Sequence, residues 1–375
     1  MKKLAVATIA SKSTLSFARV LAQSFRRFHP DIPFFLLLAD ELDGYFDAGL
    51  EPYDLVSMAD VGIPSLSQFC FRYSAQELTY AATPYLLAHL LDRGFPAAAF
   101  MKHESLVVGP LDPELALLRE RSIVLTPHLL EPVPGEPGIG RELTILQSGV
   151  YNVGFLGVSE TPTARAFLAW WQARLHEHCR RDVARGLHFE QRWLDLVPAF
   201  FEDVEMVRDP GFNVAHWNLP ERKVEVDGEH VKVDGLPGRY FRFSGFDPDR
   251  PDSVTQYHSR LDMAGIGQAA EIFRRYTTLL ETAGYHETKT WPSAYGFFRN
   301  GEPIPYRTRE LYRNLGDAAR RFGDPFDPTG PESFYRWVKR DMSVLSRLKR
   351  LWWAANRVGR EVRRALANPP TGRQR

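Results

Sequence analysis

Three groups of charged or hydroxyl side chains each follow a short apolar run. Ser11-Lys12-Ser13 follows residues 4–10, Asp40 follows 32–39, and Lys102-His103-Glu104 follows 95–101. A parallel α/β sheet binds its ligands beyond the carboxyl ends of its strands, so these are the first positions at which to look for chemistry. Other chemistries lack their patterns: no GxGxxG, no Walker A sequence and no GxSxG elbow occurs. The glycine-rich GEPGIG at 135–140 reads as part of a loop and not as a strand-to-helix phosphate cradle. His176 and His178 are two apart on a helical pattern, hence on different faces and poorly placed to share a metal ion.

The elements that would position these groups are legible in the hydrophobic pattern. Residues 4–10, 32–39 and 95–101 are apolar throughout, as strands buried on both faces are. Residues 14–28 carry Leu15, Ala18, Leu21, Ala22 and Phe25 at helical spacing. Residues 74–93 read as one helix with a Ser74 cap and Gly94 past its end, and 162–178 as a helix capped by Thr161. Residues 106–108, 150–158 and 240–243 read as further strands. Residues 126–147 read as a long loop rich in Pro and Gly. Residues 223–233 alternate around Asp227-Gly228, a strong hairpin signal. Helical patterns at 264–283 and 306–322 form a C-terminal extension. The expectation is an α/β fold with a mostly parallel sheet flanked by helices.

Composition excludes several classes. The 375 residues are 44% hydrophobic and 25% charged, which rules out collagen-like, disordered and coiled-coil chains. Two cysteines, Cys70 and Cys179, are too few for a disulfide framework and fit a reducing cytoplasm. The N-terminus starts like a signal peptide, but Ser11, Lys12, Ser13 and Thr14 interrupt it, so a buried strand is expected there. No apolar run approaches the ~20 residues that span a bilayer. The net charge of +1 gives no reason to expect nucleic-acid binding. That balance is uneven: residues 339–375 hold eleven Lys/Arg against Asp341 and Glu361, nine positive charges net, which leaves the first 338 residues eight negative.

The order of these segments resembles the GT-A glycosyltransferases, nucleotide-diphospho-sugar transferases distantly related to the glycogenin-like family. The resemblance is carried by Glu77-Leu78, Ala82-Thr83-Pro84, 100–104, 106–115 (LVVGPLDPEL), 148–155 (SGVYNVGF), 189–198 (FEQRWLDLVP), 211–219 (GFNVAHWNL) and 241–247 (FRFSGFD). It covers roughly residues 4–250. It implies a GT-A sheet and transfer of a sugar from a nucleotide-diphosphate donor to a hydroxyl acceptor. The setting it implies is bacterial surface-glycan or glycolipid assembly.

The departures from that family carry a prediction. Its Asp-x-Asp, which binds a divalent cation on the pyrophosphate, is replaced by Lys102-His103-Glu104. Arg242 stands where related transferases often carry a metal-ligating His, and Thr83 where they carry a Lys. A leaving pyrophosphate needs positive charge, which Mg²⁺ or Mn²⁺ supplies through carboxylates. A lysine supplies it as a point charge and an arginine as a bidentate fork. A metal-independent variant is therefore expected, with Lys102 and Arg242 at the diphosphate and no metal cofactor. The alternative is a catalytically inactive relative that binds nucleotide-sugar or glycan, with Lys102 salt-bridged to Glu104 or Asp40.

By the same resemblance Thr8, Ala10 and Ser11 contact base and ribose, where strand-end capping is the alternative. Glu190-Gln191 lie near the reacting sugar: Glu190 as a base for the acceptor, or Gln191 against the anomeric centre of a retaining enzyme. A helix-start carboxylate is the alternative for Glu190. Ser148, Gly149, Tyr151 and Asn152 line the acceptor side, and Asn213, Trp217 and Asn218 a sugar-binding wall. Trp170, Trp171, Trp193 and His258 read as structural.

Residues 341–367 place Val344, Leu348, Trp352, Ala355, Val358, Val362 and Leu366 on one helical face with Lys/Arg on the rest. Such a helix fits an anionic membrane surface, each basic residue contributing ~1 kcal/mol. A helix docked on the protein's own core is the alternative for this segment, and a membrane-tethered scaffold whose GT-A body is only an interaction platform is a further alternative for the function of the chain. The expected organisation is a GT-A-like domain at 1–260, a helical extension at 261–338 and a basic tail at 339–375. The expected location is the cytoplasm, peripheral on the cytoplasmic membrane face.

Overall fold

The structure, a computed structural model, describes residues 4–258 and 260–340. β1 (Ala5–Ala10) is buried along its whole length. A 3-10 turn at Lys12–Thr14 leads into α1 (Leu15–Phe28), whose apolar residues face the core as their spacing requires. β2 (Phe34–Leu38) and β3 (Asp54–Ser57) follow. α2 (Leu66–Arg72), α3 (Ala75–Ala81) and α4 (Thr83–Asp92) precede β4 (Ala97–Met101) and β5 (Ser105–Val107). Next come α5 (Asp112–Leu117), β6 (Ile123–Leu125), α6 (Glu136–Ser148), β7 (Phe155–Ser159) and α7 (Pro162–His178). The two-residue strands β8 (Arg181–Asp182) and β9 (Leu187–His188) pair with each other. A 3-10 segment (Gln191–Leu196) and α8 (Val197–Phe200) lead to β10 (Val204–Met206).

Seven strands form the central sheet in the order β10-β6-β7-β4-β1-β2-β3. All neighbours are parallel except β7, which runs antiparallel to β4 and β6. The mostly parallel α/β sheet is thus present. One face packs Val6, Ala10, Phe34 and Leu36 against Leu21 and Phe25 of α1. α4 packs on β4 and against α7. Because β7 is reversed, its entry residues 152–154 lie beside the carboxyl end of β4, where Lys102 N donates to Gly154 O at 2.9 Å.

The hairpin forms as its Asp-Gly signal requires: β11 (Val224–Asp227) pairs β12 (His230–Val233), with Gly228 at φ +52°, and β13 (Leu236–Pro237) adds a third strand. β14 (Tyr240–Arg242) pairs with β5, outside the main sheet, and sets Arg242 opposite Ser105. Behind it Phe241, Phe243 and Phe246 pack with Phe17, Phe273 and Tyr276. The last two belong to α9 (Ala269–Thr282) and its neighbour is α10 (Tyr285–Thr288). Both helices lie against α1: Arg19 donates to Ala283 O at 2.8 Å and Thr288 Oγ1 to Ser16 Oγ at 3.2 Å. The chain divides into two compact units between Gly296 and Phe297. The second contains α11 (Tyr306–Asn314) and an aromatic group of Tyr312, Phe322, Phe334 and Trp337. The amphipathic pattern at 341–367 lies outside the described residues.

Two sequence expectations need correction. Residues 126–147 are not a loop throughout, because α6 occupies 136–148 and GEPGIG opens that helix. The Pro and two Gly that argued for a loop fall in the first turn and a half, where a Pro needs no amide partner. Gly138 is required there, since a Cβ would meet Val133 O at 2.2 Å. The helix at 74–93 is two helices. Pro84 has no amide for the Tyr80 carbonyl, so α3 ends at Ala81 and α4 starts afresh at Thr83.

Candidate active site

The strand ends bring together a compact polar cluster. Lys102, just past β4, is 5% exposed and places Nζ 3.0 Å from Glu190 Oε1. The same ammonium lies over the Tyr80 ring, 3.2 Å from its centroid. Burial lowers the Lys102 pKa, as does Arg242, while Glu190 raises it. Glu190 is held from behind: Phe189 adopts φ +50°, and Trp171 Nε1 donates to Glu190 O at 3.2 Å. Its side chain makes no cap to the 3-10 segment that follows, so it is turned to Lys102 and not to the segment's amides.

Arg242 reaches the same cluster from β14. It is 4% exposed, donates to Ser105 Oγ at 3.2 Å and lies 3.9 Å from Glu104. Ser105 Oγ in turn bonds Lys102 O and Tyr240 Oη, which donates to Gly154 O at 2.7 Å. The β4–β5 turn is therefore locked between β14 and the entry to β7. Arg242 Nε is buried without a partner.

Gln191 Nε2 donates to Ser148 O at 2.8 Å, and its Oε1 accepts from Asn152 Nδ2 at 3.5 Å. Asn152 also donates to His128 Nε2 at 3.1 Å and accepts from Gly154 N at 2.8 Å. Gly149, at φ +114°, lets the chain pass within about van der Waals contact of Gln191 and Arg192. Ser148 Oγ returns to its own helix at Thr144 O. Tyr151 leaves the group, its hydroxyl directed to Met206 Sδ.

Asn213, at φ +56°, directs Nδ2 to Pro127 O and leaves Oδ1 buried without a partner. Trp217 packs edge-on to both His128 and His216, with Nε1 unpartnered. Asn218 spends both ends of its amide on backbone, bonding Ala215 N, His128 O and Asn213 O. On β1, Thr8 is buried with Oγ1 unpartnered, Ala10 is buried, and Ser11 bonds Ser13 and Thr14. Their neighbour Ile9 connects β1 to the cluster through its carbonyl, 2.8 Å from His103 Nδ1. Burial holds His103 and His128 down to about 4, so both are neutral at pH 7.

The donor set does not fit a divalent cation. Among the described residues no three His, Cys, Asp or Glu side chains are grouped for one. Glu104 and Glu190 each face a cation within 4 Å, Arg242 and Lys102 respectively. The cluster presents two buried cations, each paired with a carboxylate, together with the amides of Gln191 and Asn152.

No protein-family model matches the chain. It is similar to the uncharacterized protein YfnF of Bacillus subtilis (strain 168), 24% identical over 267 residues, covering 68% of this chain and 85% of that protein. It is also similar to the uncharacterized protein YfnD of the same organism, 25% identical over 201 residues, 52% of this chain and 62% of that one. Among solved structures it is similar to the glycosyltransferase GlyE of Streptococcus pneumoniae TIGR4, with TM-score 0.45 and 13% identity over 80% of this chain and 67% of that one. It is similar as well to the galactosyltransferase LgtC in complex with donor and acceptor sugar analogs, with TM-score 0.41 and 14% identity over 74% and 95%.

Sequence reasoning missed Tyr80, His128 and His216, and quoted Lys12 without choosing it. Lys12 is fully buried at the end of β1, beside Asp40 and Asp43 and over the Tyr45 ring. It is thus Lys12, not Lys102, that pairs with Asp40. A lysine directly after a buried strand was the available signal. Tyr80 and the histidines carried none, because only tertiary packing brings them to the strand ends. A hollow of about 520 Å³ between residues 249–253 and 261–262 shares no lining residue with the cluster.

Proposed function

We propose that the chain is a metal-independent glycosyltransferase that moves a sugar from a nucleotide-diphosphate donor to a hydroxyl acceptor. The observation that carries the reading is the placing of two buried cations at strand ends, Lys102 against Glu190 and Arg242 3.9 Å from Glu104. The bond from the anomeric carbon to the diphosphate oxygen breaks, and Lys102 and Arg242 take up the charge of the departing diphosphate. The acceptor oxygen bonds the anomeric carbon, and its proton passes to Glu190 once Lys102 has turned to the phosphates. In a retaining course Gln191 lies against the anomeric centre instead. The acceptor is a glycan or glycolipid of surface-glycan assembly, approached from the side of Ser148, Gly149 and Asn152, with Asn213 and Trp217 as the wall.

The basic segment 341–367 would hold the enzyme peripherally on the cytoplasmic face of an anionic membrane. No described helix is long and apolar enough to cross one. The ion pair itself favours a second reading, a relative that binds nucleotide-sugar without turnover, because Glu190 is already engaged. Donor turnover separates the two. With a nucleotide-sugar that binds, Glu190→Gln and Gln191→Ala should lower kcat, by 10²–10⁴-fold where a general base is lost. Binding without any turnover by the wild-type chain supports the second reading.

A further inference from the structure

The Lys102 ammonium is bounded by one anion and one aromatic face. Glu190 takes one side at 3.0 Å, and Tyr80 takes another with its ring centroid at 3.2 Å. Tyr80 is itself fixed. Its hydroxyl accepts from Gln76 Nε2 at 2.8 Å, within α3, and its ring meets Phe189 edge-on at 5.2 Å. Phe189 directly precedes Glu190, so the ring and the carboxylate are braced against each other with Lys102 between them.

The choice of a ring over a second carboxylate has a consequence. A second carboxylate at that place would grip the ammonium tightly and would repel a diphosphate. A ring face attracts a desolvated cation through its quadrupole and adds no net negative charge. The ring thus helps to hold the ammonium in place and adds no charge that would repel an incoming anion. Arg242 and Glu104 are the other charged groups that bear on Lys102, the first opposing its charge and the second favouring it.

We propose that Tyr80 is a positioning residue that holds Lys102 for diphosphate binding through the face of its ring. The inference rests on the reading of this cluster as a metal-free diphosphate site. It is tested on the full chain by calorimetric titration with inorganic pyrophosphate in EDTA. Tyr80→Phe keeps the ring and should bind within about twofold of wild type. Replacing position 80 by fluorinated phenylalanines weakens the ring's negative face at nearly constant size. Affinity should fall stepwise with fluorination, by roughly 3- to 30-fold at three fluorines, with each variant still folded by circular dichroism at the assay temperature. Tyr80→Leu should lose at least as much, and if that variant does not fold the fluorinated series stands alone. Affinity that is flat along the series, with wild-type binding intact, overturns the role of Tyr80 alone. Absence of pyrophosphate binding by the wild-type chain overturns the diphosphate reading and this inference with it.

Discussion

Lys102 and Glu190 meet as a buried ion pair across 88 residues of sequence, Nζ 3.0 Å from Oε1, with side chains 7% and 4% exposed. Two strand-end elements of unrelated sequence are joined by it. Its position between Tyr80 and Arg242 makes it both a structural tie and the place where an anion would enter.

Removing one partner should cost more than removing both. Lys102→Ala leaves a buried carboxylate uncompensated, and breaking such a pair typically costs roughly 3–5 kcal/mol. Adding Glu190→Gln removes that charge and should restore much of the loss. Urea denaturation at pH 7 of the single and double variants measures the difference. A double variant no more stable than Lys102→Ala would show that the two groups are not coupled.

Asn152 sets the protonation of His128. Its Nδ2 donates to Nε2, and Nδ1–H points to Val150 O at 3.2 Å, an arrangement that holds only a neutral ring. Burial places the folded value at about 4 against 6.5 for the free side chain. A histidine depressed in this way contributes stability above pH 6.5 that is lost as the pH falls toward 4. Asn152→Asp would put an acceptor against Nε2 and favour the imidazolium. His128 should then titrate closer to neutral pH in ring NMR shifts, and the acid limb of the stability curve should flatten. An unchanged His128 titration would contradict the assignment.

Gly154 has no room for a side chain. A Cβ there would lie 2.4 Å from Asn152 Oδ1, 2.7 Å from Asn213 Oδ1 and 3.0 Å from Arg242 Cδ. Gly154→Ala should therefore destabilise by roughly 1–3 kcal/mol, the usual cost of overpacking. It should also weaken ligand binding, since three candidate site residues must shift at once. Thermal unfolding with and without a bound nucleotide separates the two effects. A variant of wild-type stability and affinity would show that this wall is slack.

The middle of the sheet was legible because β1, β2 and β4 are buried on both faces. Residues 4–10, 32–39 and 95–101 had no polar alternation to blur them, and β1, β2 and β4 fall inside them. β3, β6 and β10 escaped notice: β3 is an edge strand with one buried residue, Val56, among four, β10 is the other edge with none buried, and β6 is only three residues long. α6 was obscured by its Pro and Gly, although its later residues are ordinary helix formers. Candidate residues at strand ends, Lys102 above all, could be picked out from sequence order. Their partners could not. Glu190 as the counter-ion and Tyr80 as the supporting ring depend on the left-handed turn at Phe189 and the break before Pro84, which no periodicity records.

The most direct test of the account is nucleoside-diphosphate binding measured by thermal shift and calorimetry, once in EDTA and once in Mn²⁺. If Lys102 and Arg242 supply the positive charge, a panel of nucleoside diphosphates should contain one that binds equally well in both. Lys102→Ala should weaken that binding by roughly 1.5–3 kcal/mol while barely changing the affinity for the parent nucleoside. Binding that appears only with Mn²⁺, or that survives Lys102→Ala unchanged, would contradict the central claim.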